Sequence, residues 1–502
     1  MAVFFEFASQ FANIFSDPHM LFLGAAGTAL GIVFGCLPGI SSTMALAILL
    51  PISFSLTPLG AIIFLIAVFS ASVFGGSISA ILINIPGTPG AIVTQLDGYP
   101  MARSGRAGEA LFYALGASTL GGVIGLVALI LIAPIVAGAA MQFRSPEFAM
   151  ATVFGLTLLA YSTPGATFLG ILSGCIGLIC GMVGFDSLTD IPRFDFGTSW
   201  LQNGINLVPV TIGLFGIAEI MRNLNVASQS GATVARRIGR VVPPWKEMRR
   251  LWKAVLRGSG IGIAVGAIPA AGSAIAVAVS YAQEQRLSPR GKDFGKGIPD
   301  GIVAPEASNN AAVGGALVPM MTLGIPGDTM TAVLMGALLI HGLRPGPQLF
   351  VEHADFVASV YVGLFLAILL TAAMGLLLMQ QFVRLMQAPR HILVAAIILL
   401  CVIGSFTIRN NVADVGVMIA FSVIGFVMYK LEIPVAPLAF GLILGPILEE
   451  NLRRSLIVSD GSWMVFVGRP IALAMLLLSL AAVLYPVFVA LRPKRVSADA
   501  GE

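Results

Sequence analysis

Two short segments rich in proline, glycine and serine interrupt apolar stretches of the chain in the same way. The first is GIVFGCLPGISSTMA, residues 31–45, and the second is GIAVGAIPAAGSAIA, residues 262–276. The segments lie 231 residues apart and are identical at 6 of 15 positions. Inside a bilayer, backbone groups freed by a helix break have no water to bond to, so such breaks occur only where protein buries them or a cavity adjoins them. Paired breaks in the two halves of a chain therefore indicate a transporter binding site.

Each break places a helix N-terminus beside small, hydroxyl-bearing residues. A helix that restarts after the proline exposes backbone amides, and such amides bind anions. Small residues also let a ligand approach the backbone closely. The residues so placed are Pro38, Gly39, Ser41, Ser42 and Thr43 in the first break and Gly272 and Ser273 in the second. The alternative is a proline kink whose small residues only pack helices together, but the duplication favours an anion site.

Two loops that contain Ile-Pro-Gly form a second repeated pair, in apolar surroundings. The candidate substrate-binding residues are Asn84, Pro86, Gly87 and Thr88 in the first loop and Pro326, Gly327 and Thr329 in the second. Asp328 is the distinctive residue, because an acidic side chain at membrane depth is by default a functional candidate. It suits a cation or a proton. Its alternative role, which does not exclude the first, is to cap the helix predicted to begin near Thr329.

A third cluster of polar residues, APEASNNA at 304–311, lies only in the second half of the chain. Carboxylate and amide oxygens suit a hard cation such as Na⁺. We therefore predict Glu306, Asn309 and Asn310, together with Asp328, as residues near a coupling cation. The alternative is a re-entrant loop whose polar groups bond one another.

Basic residues are missing around all of these segments. Neither residues 1–102 nor residues 297–343 contain lysine or arginine. A bound anion must therefore be held by backbone amides and hydroxyls, with help from a co-bound cation.

The composition is that of a polytopic membrane protein. Of the 502 residues, 57% are apolar and only 10% are charged, whereas soluble domains have about 25% charged residues. Apolar runs close to the bilayer-spanning length of about 20 residues recur along the chain. The clearest runs are 110–141, 356–379 and 470–491, with shorter ones at 167–183 and 392–408. We predict an all-α fold with about 10–12 membrane segments.

The sequence also excludes other classes of protein. The net charge of +4 is the usual surplus of cytoplasmic lysine and arginine in a membrane protein, so it does not indicate nucleic-acid binding. No HExxH, GxSxG or Walker A sequence is present, and these are the signatures of common enzyme sites. We predict a protein that is not an enzyme and that needs no cofactor.

Two further pairs of segments extend the repeat. Gly75-Gly76 corresponds to Gly314-Gly315, and a Pro-x-x-x-Gly-Leu segment at 209–214 corresponds to another at 437–442. The order of the pairs predicts two inverted-topology repeats, residues 1–235 and 258–453, whose paired broken or re-entrant helices meet near the membrane midplane. Residues 454–502 would add an extra C-terminal helix and a tail.

A basic linker, residues 236–257, separates the predicted repeats. It contains eight lysine and arginine residues, which the positive-inside rule places in the cytoplasm. From residue 243 onwards, apolar residues alternate with charged ones at helical spacing. This pattern predicts an amphipathic helix on the inner leaflet, or equally a connector docked on the protein.

Four segments carry a family resemblance that covers nearly the whole chain. Residues 34–39 (FGCLPG), 85–90 (IPGTPG), 301–310 (GIVAPEASNN) and 322–328 (TLGIPGD) resemble the large membrane subunit of tripartite tricarboxylate transporters, the TctA-like proteins. The resemblance implies symport of carboxylates such as citrate across a bacterial inner membrane, driven by Na⁺ or H⁺. It also implies two partners, a small TctB-like membrane subunit and a periplasmic TctC-like binding protein.

The substrate of such a protein is not fixed by the resemblance, because members of the family take varied carboxylates. A homodimer, and movement of one helix bundle against a scaffold, are further hypotheses. The alternative function is a channel for small carboxylate anions, which would need neither a coupling ion nor a binding protein.

Overall fold

The computed structural model describes residues 2–160, 166–223, 241–269, 271–385 and 390–491. The first five residues of the predicted linker, 236–240, and the predicted tail beyond residue 491 lie outside the described residues. The helices before the linker are α1 Ala2–Ser16, α2 Pro18–Cys36, α3 Ser42–Ser53, α4 Pro58–Ile83, α5 Gln95–Met101, α6 Ala107–Ala140, α7 Ser145–Ala160, α8 Thr167–Gly181, α9 Ser199–Gln202, α10 Leu207–Thr211 and α11 Ala218–Asn223.

The helices of the second half begin within the predicted linker. They are α12 Trp245–Met248, α13 Trp252–Gly266, α14 Gly272–Leu287, α15 Asp300–Leu323, α16 Thr329–Ile340, α17 Leu349–Glu352, α18 Ala354–Leu377, α19 Met379–Leu385, α20 Arg390–Thr407, α21 Val412–Lys430, α22 Ala436–Val458, α23 Met464–Val467 and α24 Pro470–Leu491. Short 3₁₀ turns are Pro89–Ala91, Arg249–Leu251 and Gly291–Asp293, and π-helical turns are Ala102–Arg106 and Ile212–Ile217. A two-residue antiparallel ribbon pairs β1 Gly184–Phe185 with β2 Pro192–Arg193.

Helix length and composition confirm an all-α multi-pass membrane protein. Among the described residues, five helical stretches are long and apolar enough to cross a bilayer: Pro18–Cys36, Pro58–Ile83, Thr94–Ala140, Ala354–Leu377 and Val412–Lys430. Five shorter apolar helices accompany them, including α3, α8 and α16. The precise number of crossings stays a prediction.

Two helices, α4 and α15, occupy the centre of the bundle. Every residue of α4 from Gly60 to Ile83 is buried, and so is every residue of α15 from Asp300 to Thr322. The segment 304–311 is therefore helical, with Pro305 in its second turn, and the alternative of a re-entrant loop there is wrong. Pro305 lies beyond the first turn, so it removes one intrahelical hydrogen bond that another residue at this position would donate.

Glycines bring each broken helix against one of the two central helices. A Cβ atom on Gly27, Gly31 or Gly35 of α2 would lie 2.4–2.6 Å from a backbone oxygen of α4, at Phe64, Val68 and Ser72 respectively. A Cβ atom on Gly258, Gly262 or Gly266 of α13 would likewise lie 2.2–2.7 Å from a backbone oxygen of α15, at Ala304, Ser308 and Ala312 respectively. Residue numbers rise together in both sets of contacts, so α2 is parallel to α4 and α13 is parallel to α15.

The same kind of contact fixes the directions of the neighbouring helices. Gly121 and Gly125 of α6 lie against Ala307 and Ala311, so α6 is parallel to α15. Gly363 and Gly375 of α18 lie against Ile63 and Phe74, so α18 is parallel to α4. Helices α6 and α18 are antiparallel, because Gly122 contacts Ile368 whereas the earlier residue Leu115 contacts the later residue Gly375. Helices α2 and α4 therefore begin at one end of the bundle, and α13 and α15 begin at the other.

Both broken segments are helical hairpins. The Arg257 guanidinium pairs with Glu284 at 2.6 Å, so α14 returns to the end of the bundle where α13 begins. Residues 54–57 are all that connect α3 to α4, so α3 returns to the end where α2 begins. The two hairpins thus enter the bundle from opposite ends, and their turns point towards each other.

An ion-paired cluster holds the β1–β2 ribbon against the end of α22. Arg453 pairs with Asp186 and, at 3.2 Å, with Glu449, whose carboxylate is 2.5 Å from Arg193. The Arg453 guanidinium, together with the backbone amides of Leu188 and Thr189, holds the pKa of the Asp186 carboxyl well below its usual range. The cluster fixes this ribbon without contributing to the cavity described below.

Substitution of Gly262 tests the close approach of α13 and α15. Gly262→Val should lower the free energy of unfolding by about 1–3 kcal/mol, because its Cβ would lie 2.2 Å from the Ser308 carbonyl oxygen and overpacking carries that cost. Gly260→Val, on an open face of the same helix, should leave stability unchanged or slightly raise it. Thermal unfolding of both variants in detergent makes the comparison, and equal melting temperatures would refute the packing.

Candidate functional site

The turn of the first hairpin is held by side chains from α11. Gly39 adopts φ +87°, and Ser41 caps α3 by accepting a hydrogen bond from the Met44 amide. The Ser41 hydroxyl also donates to Glu219 at 2.7 Å, and the Asn223 side-chain amide donates to the Gly39 carbonyl oxygen at 2.8 Å. These contacts fix the turn, so the N-terminus of α3 keeps one orientation.

The turn of the second hairpin is formed by still smaller residues. Helix α14 begins at Gly272, whose φ is +67°. Ser273 follows and is half-buried. Residues at this helix start and at the start of α3 line the same cavity.

The two Ile-Pro-Gly loops end their preceding helices alike. Asn84 closes α4 with φ 58° and Gly324 closes α15 with φ 67°, both left-handed conformations that end a helix. In the second loop Asp328 caps α16: its Oδ1 accepts from the Thr331 amide and hydroxyl at 2.8 Å, while the Asp328 amide donates back to that hydroxyl. The capping role predicted for Asp328 is confirmed.

A cavity of about 260 Å³ lies where the two turns and the two loops meet. The predicted site residues that line it are Ser42, Thr43, Thr88, Gly272, Ser273, Asn309, Asp328 and Thr329. Its apolar walls come from Val73, Pro89, Met330, Ala436 and Phe440, among others. Thr43 and Thr329 hydrogen-bond to each other at 2.8 Å, which joins α3 to α16 across the cavity edge.

Several polar atoms at this cavity are buried without a hydrogen-bond partner. They are the hydroxyls of Ser42 and Thr88 and both side-chain atoms of Asn309, whose side chain is only 1% exposed. A buried polar group left unpaired costs about 1–3 kcal/mol, so such groups are rare in proteins. Three residues that line this one cavity therefore carry buried polar atoms without a hydrogen-bond partner in the described protein.

The first loop also approaches α15 closely here. A Cβ atom on Gly90 would lie 2.2 Å from Oδ1 of Asn309, so any side chain at this position would displace the Asn309 amide.

The charge at the cavity is sparse. Asp328 is the only acidic residue among the described residues that line it, and none of them is lysine or arginine. Within the described part of the chain, no group of three or more His, Cys, Asp or Glu side chains could hold a metal ion. A cation here would be coordinated by Asp328 together with amide, hydroxyl and backbone oxygens.

Glu306 lies away from the cavity lining and is fully buried. Ser77 and Thr94 donate to its Oε1 at 2.6 and 2.5 Å, and Ser118 donates to its Oε2 at 3.0 Å. These hydroxyls come from α4, the first loop region and α6, so the carboxylate joins three elements to α15. Asn310 likewise does not line the cavity, and its side-chain amide donates to the Glu306 carbonyl oxygen at 3.2 Å.

The other predicted site residues shape the turns without lining the cavity. They are Pro38, Gly39, Ser41, Asn84, Pro86, Gly87, Pro326 and Gly327. Gly87, for example, donates its amide to the Gly76 carbonyl oxygen at 3.2 Å. Sequence reasoning missed Glu219 and Asn223, which carry no local motif, and the wall formed by Ala436 and Phe440. For that wall, the repeated Pro-x-x-x-Gly-Leu segment at 437–442 was a usable signal.

Comparison with known proteins identifies similar chains. The model of the tripartite tricarboxylate transporter TctA family matches residues 21–440. An Agrobacterium vitis protein described as an uncharacterized 52.8 kDa protein in the TAR-I ttuC' 3' region is 37% identical over 472 residues, 93% of each chain. A second A. vitis protein, from the TAR-II ttuC' 3' region, is 35% identical over 234 residues, which is 47% of this chain and 97% of that protein. No solved structure matches.

Proposed function

Because this chain belongs to the tripartite tricarboxylate transporter TctA family, we propose that it is the permease subunit that carries a carboxylate anion across a bacterial inner membrane. Family membership makes the chain one component of a tripartite system, with a TctB-like membrane subunit and a TctC-like binding protein as its partners. In the proposal, the binding protein delivers the substrate and a gradient of Na⁺ or H⁺ drives its import.

The cavity between the hairpin turns carries this proposal. It combines two helix starts, hydroxyls from both halves and an unpaired amide, and these are groups that bind carboxylate oxygens. Its unpaired groups come from α3, the first loop and α15, so one substrate would contact both halves of the protein. The apolar walls at Val73 and Phe440 would face the carbon skeleton of the substrate.

The opposite entry of the two hairpins supports two inverted repeats. In such transporters, binding sites form near the midplane between discontinuous helices, and one repeat or bundle moves against the other to alternate access. The contacts between the two halves are also equivalent. Helix α6 of the first half packs along α15, and α18, the counterpart of α6 in the second half, packs along α4. The proposed motion is of the hairpins and loops around the cavity against the remaining helices.

The coupling cation would bind on the side of Asp328 and Asn309. A carboxylate substrate needs positive charge, and the described lining offers no basic side chain, so a co-bound cation would neutralise the substrate in part. Asp328 would attract that cation while capping α16 through the same carboxylate. Glu306, saturated by three hydroxyls, would instead hold the surrounding helices in place.

Reconstituted uptake tests the function. The chain and its TctB-like partner in proteoliposomes, with the cognate binding protein outside, should accumulate citrate or another di- or tricarboxylate against its gradient. Accumulation should require an inward Na⁺ or H⁺ gradient. Flux that followed only the substrate gradient and the membrane potential would overturn the proposal in favour of an anion channel.

A further inference from the structure

A second, larger cavity lies far from the hairpin turns, on the outer surface of the bundle. It measures about 690 Å³, within the range of about 300–1,000 Å³ typical of ligand pockets. We call it the lateral groove, and its lining comes from α6, α12, α13, α15 and α18. Its floor and walls include Phe112, Gly116, Leu120, Val255, Val303 and Leu376.

The shape of the lateral groove suits a hydrocarbon chain. It follows α6 from Phe112 to Leu120, a distance of about 12 Å at the helical rise per residue. A Cβ atom on Gly116 would meet nothing within 4 Å, so the groove is open above this glycine. Its lining is almost wholly apolar in a helix bundle whose outer surface faces lipid.

The mouth of the lateral groove is basic and aromatic. Trp245 and Trp252 line it and are 72% and 55% exposed, as is typical of indoles at a membrane–water interface. Arg249 lines it as well. Three further exposed cations lie on the same short stretch of chain: Lys246, Arg250 and Lys253.

These four cations carry no ion pair among the described residues, whereas the acid beside them is engaged. Glu247 lies 3.9 Å from Arg106 and 3.8 Å from Arg290. The segment 246–253 therefore has a net positive charge that the described protein does not neutralise, and Arg249 is the cation of this segment that lines the groove. Basic pockets between membrane helices, on the side of a basic linker, bind the headgroups of anionic lipids.

From this complementarity we propose that the lateral groove binds an anionic phospholipid. One acyl chain lies along α6 over Gly116, and the phosphate lies beside Arg249 between the two indoles. Since Trp252 and Val255 belong to α13, the bound lipid holds the base of the second hairpin against α6. The proposal does not depend on the nature of the transported substrate.

Lipid titration of the purified full chain tests the proposal. The chain is washed free of lipid in detergent and titrated, by native mass spectrometry, with phosphatidylglycerol or with phosphatidylcholine of the same acyl chains. Phosphatidylglycerol should bind at least tenfold more tightly. Gly116→Leu should weaken that binding at least tenfold, whereas Gly138→Leu, at an equally open position of α6 outside the groove, should not.

Two further variants distinguish recognition of the headgroup from binding of the acyl chain, and a loss of binding from a loss of folding. Arg249→Glu should remove the preference for phosphatidylglycerol while acyl-chain binding persists. Gly116→Ala, which fills less of the groove, should show an intermediate loss with an unchanged size-exclusion profile. Equal binding by Gly116→Leu and the native chain, or equal affinity for both lipids, would overturn the proposal. So would a Gly116→Leu variant that sheds a co-purified small membrane subunit while its phospholipid binding stays unchanged.

Discussion

Replacing Asn309 by leucine should reduce carboxylate uptake about ten- to a hundredfold while the protein stays as stable as before, or becomes more stable. Both side-chain atoms of Asn309 are buried at the cavity without a partner, and leucine of similar shape removes that penalty. Uptake should fall because hydrogen bonds to a charged ligand contribute about 1.5–3 kcal/mol, and each 1.36 kcal/mol is a factor of ten in rate.

The neighbouring residue supplies the control for this substitution. Ser308 is on the same helix and is equally buried, and its hydroxyl is also unpaired, but it does not line the cavity. Ser308→Ala should leave uptake close to native and stability unchanged or slightly raised, because it also removes an unpaired buried group. Proteoliposome uptake and thermal unfolding are measured on the same preparations. An Asn309→Leu variant with native uptake, or one that is strongly destabilised, would show that the unpaired amide does not serve a ligand.

Replacing Asp328 by asparagine should reduce ion-coupled uptake more than tenfold without unfolding the protein. Asparagine caps a helix about as well as aspartate, so the free energy of unfolding should change by less than about 1 kcal/mol. The negative charge that would attract the coupling cation is lost, however. Uptake measured over a range of Na⁺ concentrations and pH values should show a weaker response to the driving ion.

Asp17 is a matched control for the Asp328 substitution. It caps α2 by accepting a hydrogen bond from the His19 amide at 2.8 Å, and it lies outside the cavity. Asp17→Asn makes the same chemical change at another helix cap and should leave coupled uptake unaltered. If Asp328→Asn kept native uptake at every Na⁺ concentration and pH, the residue would have only its capping role.

The repeated sequence motifs predicted where the chain breaks and which segments meet. Pro38 and Gly272 mark the two turns because proline and glycine interrupt helices in ways that are visible locally. The motifs also predicted that both Ile-Pro-Gly loops belong to the same region. Membership of an all-α membrane class followed from composition alone.

The sequence could not predict which side of α15 faces the cavity. Asn309 and Asn310 are adjacent, and they follow Glu306 by three and four residues. Because α15 is buried on every side, its hydrophobic pattern has no periodicity that would show which of the three faces the cavity. In the structure Asn309 lines the cavity, while Glu306 accepts hydroxyls from α4, the first loop region and α6. Those donors are 188–229 residues away in the chain, and only the assembled fold brings them together.

Glu219 and Asn223 illustrate the same limit at the first hairpin. They bind the turn at Ser41 and Gly39 from positions 178 and 184 residues later in the chain. Their helix, α11, carries no motif that relates it to a proline break. Side chains that position a site through distant contacts leave no spacing pattern in one sequence.

Protection of introduced cysteines tests most directly whether the cavity between the hairpins binds the substrate. The four native cysteines are replaced by alanine, and Thr329→Cys and Ser273→Cys are made separately, at two partly exposed positions of the cavity lining. The transported carboxylate, added with Na⁺, should slow thiol labelling at both positions and leave the exposed control Ser55→Cys unaffected. Unchanged labelling at both cavity positions, in variants that still transport, would contradict the account.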